Sequence, residues 1–168
     1  MKLQPLRFVK FYYLKFLRLQ GDPKSLARGV AIGTSTGLAP IIPFHTISVL
    51  ILSPIFRGNI AAAFLAAVAT CNPITYFPQY YISWLIGNWL TPYDLSWDRI
   101  SFVMKIALSD AGFKDIFLSL SALGADTIIV LLVGGAVFAL PCGIVSYFLS
   151  LRFFTELQKQ RSLKHVLS

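Results

Sequence analysis

Apolar residues fall along this chain in short runs, each closed by glycine, proline or a polar pair. Between Gly29 and Leu90 the run is almost continuous, but Gly33, Gly37, Pro40, Pro43, Pro54, Gly58, Pro73, Pro78 and Gly87 divide it. A straight helix needs about 20 apolar residues to cross a hydrocarbon core about 30 Å thick. Residues 44–56 supply thirteen, with Pro54 among them, and residues 60–71 supply twelve. The pattern therefore predicts four helical pieces, from Pro23 to about Leu38, from Phe44 to about Arg57, over 60–71 and over 74–90. Asp22 is the N-cap of the first piece, with Pro23 at its first position. Pro40 and Pro43 end it and leave 39–43 extended. Asn72-Pro73 breaks the third piece and Pro78 bends the fourth. Only Thr127 to Leu151 is long enough to cross unaided, and Gly134-Gly135 and Pro141 predict a kink within it.

The flanking patterns differ. Over Leu3 to Leu19, Arg7, Lys10, Lys15 and Arg18 share one helical sector, with Leu3, Leu6, Val9, Tyr13, Phe16 and Leu17 mostly opposite. That arrangement predicts an amphipathic helix at a membrane interface, or one docked on a partner protein. Two further stripes, Ile100 to Ala111 and Phe113 to Leu123, predict amphipathic surface helices ending at Gly112 and Gly124. The chain divides into a basic interfacial helix (1–22), broken or re-entrant helices (23–90), surface helices (91–125), a transmembrane helix (126–152) and a basic tail (153–168). The fold class is an all-α integral membrane protein of a single domain.

Composition strengthens the membrane reading. Hydrophobic residues make up 56% of the 168 positions and charged residues 13%, and mean hydropathy is +0.68. A soluble domain of this size could not cover so much apolar surface. The net charge of +8 is uneven: residues 1–28 carry seven basic side chains against Asp22, the tail from Leu151 four against Glu156, and 91–126 three against five. The positive-inside rule then places both termini in the cytoplasm and 91–126 outside, so 29–90 cross an odd number of times. One re-entrant hairpin plus one broken crossing satisfies that count, as do three crossings with one piece lying flat. Basic ends of this kind match anionic lipid, and no nucleic-acid recognition motif accompanies them. Cys71 and Cys142 lack metal or redox spacing, and no cofactor is expected.

Pro43 and Pro73 each precede a short helix, so two helix N-termini are expected at membrane depth, where free N–H groups and the dipole attract anions. His45, Thr46 and Thr75 fall in those first turns. Arg57 and Asn59 stand at another break and Asn72 at a third, and polar side chains in lipid are costly enough to be functional candidates. His45, Thr46, Arg57, Asn59, Asn72 and Thr75 form the expected substrate-binding set, with a phosphate headgroup as the matching anion. Plainer roles stand beside this one. His45 and Thr75 can cap their helices, Asn72 can bond backbone freed by Pro73, and Arg57 can snorkel to headgroups. Gly29, Gly33 and Gly37 form a GxxxGxxxG spacing that lets another helix approach closely. Paired carboxylates, HExxH, nucleophile elbow and phosphate loop are all lacking, so no enzymatic activity and no metal site are expected.

Arg28-Gly29-x-Ala31-x-Gly33, Pro40-x-x-Pro43-x-His45-Thr46, Arg57-Gly58-Asn59 and Asn72-Pro73-x-Thr75 follow in order, with Pro78-x-Tyr80-Tyr81 and Gly87 after them. In that combination the chain resembles the bacterial membrane domain of unknown function number two thousand and sixty-two, over roughly residues 5 to 150. That family usually has a glycine near Pro43 or Phe44, so the turn here is expected to be stiffer. Similar domains occur fused behind family-two glycosyltransferases, which the resemblance links to lipid-linked sugars or their carriers. Two functions are thus expected. One is binding, and translocating, an anionic lipid or polyprenyl-phosphate carrier between broken helices. The other is a non-catalytic interaction and anchoring subunit for a partner enzyme such as a glycosyltransferase. The expected partners are membrane lipid and either further copies of the chain, as a homo-oligomer, or another membrane protein.

Overall fold

A computed structural model describes residues 5–39, 45–71, 73–93, 95–98, 100–101 and 124–166. Every regular element among them is an α-helix: α1 (Pro5–Arg18), α2 (Pro23–Leu38), α3 (His45–Ile55), α4 (Ile60–Thr70), α5 (Pro73–Leu90) and α6 (Ala125–Val166). The breaks fall where glycine, proline and polar pairs predict them. Pro40, Pro43, Asn72 and the surface helices expected over most of 91–125 lie outside the described residues. Asp22 caps α2, its carboxylate accepting from the Ser25 N–H at 3.0 Å, with Pro23 at the first position. The helix expected over 126–152 does not stop at Arg152. It runs on through the basic tail to Val166, passing Gly134-Gly135 and Pro141 without a break.

Small residues set how the helices pack. Gly29, Gly33 and Gly37 face Ala62, Ala63, Ala66, Ala67 and Thr70 in register, so α2 and α4 run parallel. At Gly33 an added Cβ would fall 2.9 Å from the Ala66 Cβ and closer still to the Ala63 carbonyl oxygen. The two backbones therefore touch, as they do where small residues recur every fourth position. α2 and α6 run antiparallel: Leu26 packs with Phe154, and Ser35 donates to the Ala139 carbonyl at 3.4 Å. α5 also opposes α6, with Gly87 against Val130 and Gly134 against the Ser83 carbonyl. α3 returns along α2 and α4, its Val49 packed with Ala63 and Ala67. α4 and the body of α5 from Thr75 meet at 88°.

The core is thin and the outside is greasy. Ile47, Leu50, Ile51 and Ile55 of α3, Phe64 and Val68 of α4, and Leu140, Ile144, Phe148 and Leu149 of α6 are exposed, while Trp89 is 84% exposed. α6 is long and apolar enough to cross a membrane. This inside-out distribution agrees with association with a membrane, whose hydrocarbon would cover what the protein leaves bare. An aromatic cluster runs along α5 from Phe77 to Trp84. Trp97 stacks with Phe77, Tyr81 and Trp84 at centroid distances of 5.7, 5.2 and 5.4 Å. Asn88 clamps the same segment, accepting from the Leu95 N–H while its amide donates to the Leu95 carbonyl.

Candidate functional site

The residues expected to form one polar site lie at two levels. At the first, the α3–α4 connection packs on the start of α2. Ser25 Oγ donates to the Arg57 carbonyl at 3.2 Å, and the Asn59 N–H donates to the Ser25 carbonyl at 2.9 Å. Asn59 is the N-cap of α4, its Oδ1 accepting from the Ala62 N–H at 3.0 Å. Its amide is thus engaged by its own helix. Arg57 holds a left-handed backbone with φ 53° and leaves its side chain exposed.

At the second level α2 and α4 end and α5 begins, about 18 Å along α2 from Ser25. Thr75 donates to the Thr70 carbonyl across the break between α4 and α5. The Cys71 thiol approaches the Gly37 carbonyl at 3.4 Å, and the Tyr76 hydroxyl bonds the thiol. Val49 packs beside Ala63 and Ala67, so the start of α3 is carried toward the level where α4 ends. There His45 Nε2 lies 3.3 Å from the Thr46 hydroxyl, and His45 Nδ1 is buried without a partner. Arg57 and Asn59 are therefore parted from His45, Thr46 and Thr75 by the length of α3 and α4. Pro73 opens α5.

Gln79 is absent from the expected set although it sits at the centre of the second level. It is 3% exposed, and its amide donates to the Gly37 and Leu38 carbonyls at 3.2 and 2.6 Å. It thereby satisfies C-terminal carbonyls of α2, which find no donor within their own helix. A signal for it exists in the sequence, since an uncharged amide inside an apolar run needs a partner.

Near the first level a small groove of about 210 Å³ is edged by Gly21, Leu26, Phe154 and Arg161. A groove of about 430 Å³ lies between α2, α3 and α6. Ala31, Ile32 and Ser35 floor one side, Leu52 and Phe56 another, and Ile144 and Phe148 the third. The walls are nearly all hydrocarbon, and Ser35 has already spent its hydroxyl on Ala139. The volume falls within the range of small-molecule sites, about 300–1,000 Å³. At its Ser25 end the groove runs out at Phe56, next to Arg57. A second, smaller apolar groove of about 280 Å³ lies across the α2–α6 seam under Phe16 of α1. Among the described residues no three His, Cys, Asp or Glu side chains come together to hold a metal, and both cysteines are free thiols.

A family model described as "Uncharacterized protein conserved in bacteria (DUF2062)" matches residues 6–162. The match reaches into all six helices described above and ends four residues before the end of α6. No curated protein and no solved structure matches the chain.

Proposed function

The chain belongs to this uncharacterized bacterial family, and we propose that it is a small inner-membrane protein that binds an anionic lipid. The hydrocarbon tail lies in the groove between α2, α3 and α6, and the headgroup meets Arg57. One observation carries the reading: an apolar groove open to the side, with an exposed cation where it ends. Apolar walls suit a tail that has nothing to hydrogen-bond, and a guanidinium suits a phosphate. In this reading the Arg57 end faces the cytoplasm with both termini, following the excess of basic residues there. α2 and α3 then form a re-entrant hairpin, α4 and α5 one broken crossing, and α6 a full one. Irregular backbone at membrane depth is tolerated where protein covers it or it lines a cavity, which this arrangement requires of both breaks.

The test is lipid retention by the purified full chain. Ala31→Phe fills the groove and should strip bound anionic lipid while the helix content and melting profile are kept. Retention equal to that of the parent would sink the reading. Translocation, as distinct from binding, is read by dithionite quenching of labelled lipid in proteoliposomes. A second reading, an anchoring module, has one observation in its favour. Leu163 is 63% exposed on the end of α6, beyond the apolar segment, where water and not lipid is expected to surround it. Leu163→Glu should then release a co-purifying partner protein while lipid retention stays unchanged.

A further inference from the structure

We infer that the headgroup taken at this groove is a terminal phosphate, a lipid phosphomonoester or diphosphate, and not a phosphodiester; the inference rests on the lipid-binding reading above. By chain register three arginines fall at the groove's Ser25 end. Arg57 follows Phe56 directly. Arg28 precedes Ile32 by four residues, one turn further out on the same face of α2, and Arg152 follows Phe148 by four on α6. Residues four apart on a helix are neighbours on its surface. The levels agree as well, because α2 opposes α6 and the backbone of Arg28 lies against Gly58, next to Arg57. All three side chains are exposed, so their guanidinium groups are available.

No acid among the described residues answers them. Asp22 is engaged in capping α2, and Glu156, one turn beyond Arg152, pairs with Lys159 at 3.0 Å. Lys24, one turn before Arg28, adds a fourth cation. A single phosphodiester charge would leave most of this excess unanswered. A phosphomonoester carries about −1.5 to −2 near neutral pH, with three acceptor oxygens. Planar guanidinium forks bind such oxygens two at a time, which a lysine cannot do.

The purified chain is equilibrated in mixed micelles holding equal amounts of phosphatidic acid, phosphatidylglycerol and phosphatidylcholine, and retained lipid is counted by native mass spectrometry. At pH 7.5 phosphatidic acid should be retained roughly tenfold over phosphatidylglycerol, the scale of one charge-assisted bond. At pH 5.5, below the second phosphate pKa of about 6, the preference should shrink toward parity, because the arginines keep their charge while the phosphate loses one. Arg28→Gln, Arg57→Gln and Arg152→Gln combined should abolish the preference, whereas Arg28→Lys, Arg57→Lys and Arg152→Lys combined should keep only part of it. Equal retention of the two anionic lipids at pH 7.5, with both lost in Ala31→Phe, overturns the headgroup assignment and leaves the groove reading standing. Retention of both in Ala31→Phe overturns the groove reading itself. Release of phosphatidic acid by millimolar inorganic phosphate would assign the arginines to a soluble phosphate and overturn the lipid source; no release supports it.

Discussion

Arg57 occupies a backbone conformation that costs a side-chain-bearing residue about 1–2 kcal/mol. Glycine adopts it freely. Arg57→Gly should therefore raise thermal stability in detergent while weakening retention of anionic lipid, a divergence that a scaffold role for the arginine would not give. Gln79 behaves in the opposite way. Gln79→Leu leaves the Leu38 carbonyl without its side-chain donor and the Gly37 carbonyl with the Cys71 thiol alone, and a loss of about 1–3 kcal/mol is expected from a buried unpaired group. The melting temperature reads it. At this scale the sequence is only half legible. The cap of α2 can be read, since Asp22 precedes a proline-led helix and its side-chain oxygen has a local use, whereas Asn59, expected as a ligand residue, caps α4 in the same way. The bonds of Gln79 and Ser25 join residues more than thirty positions apart, and no local pattern encodes such partners.

Helix starts and stops are the most readable part of the chain, because proline and glycine act on their own neighbours. The packing of α2 on α4 follows from the same small residues. Gly33→Ala drives a methyl group into the Ala63 carbonyl, and neither backbone can yield without parting the helices. A destabilisation of about 1–3 kcal/mol is expected, the usual cost of overpacking, measured as a lowered unfolding temperature. Gly124→Ala, by contrast, meets no atom within 4 Å, so any cost there comes from its φ of +83° alone. α6 outruns its apolar segment for a physical reason. Charges end an apolar run, but they do not end a helix, and lysine, glutamine and arginine are good helix formers. The projecting turns are held through Arg161, whose guanidinium donates to the Leu17 and Leu19 carbonyls at the end of α1, the latter at 3.2 Å. Arg161→Ala should loosen α1 and speed trypsin cleavage at Arg18 and Lys15.

For the whole molecule, hydropathy suffices to give the class and the one long apolar helix, since both are sums over many residues. It cannot group the polar breaks. A single site is expected from residues that share a cost, that of being polar among lipid, but the parallel run of α2 and α4 sends the two ends of each helix to different levels. Helix direction decides that separation, and no single stretch of sequence carries it.

α6, at 42 residues, extends about 63 Å, twice the depth of a bilayer's oily interior. It is one uninterrupted rod, gripped near its end by Arg161 and along its middle by α2 and α5. A rod that spans a layer of varying thickness answers by leaning. Any tilt of α6 would thus be shared by the end of α1, since Arg161 ties the two together.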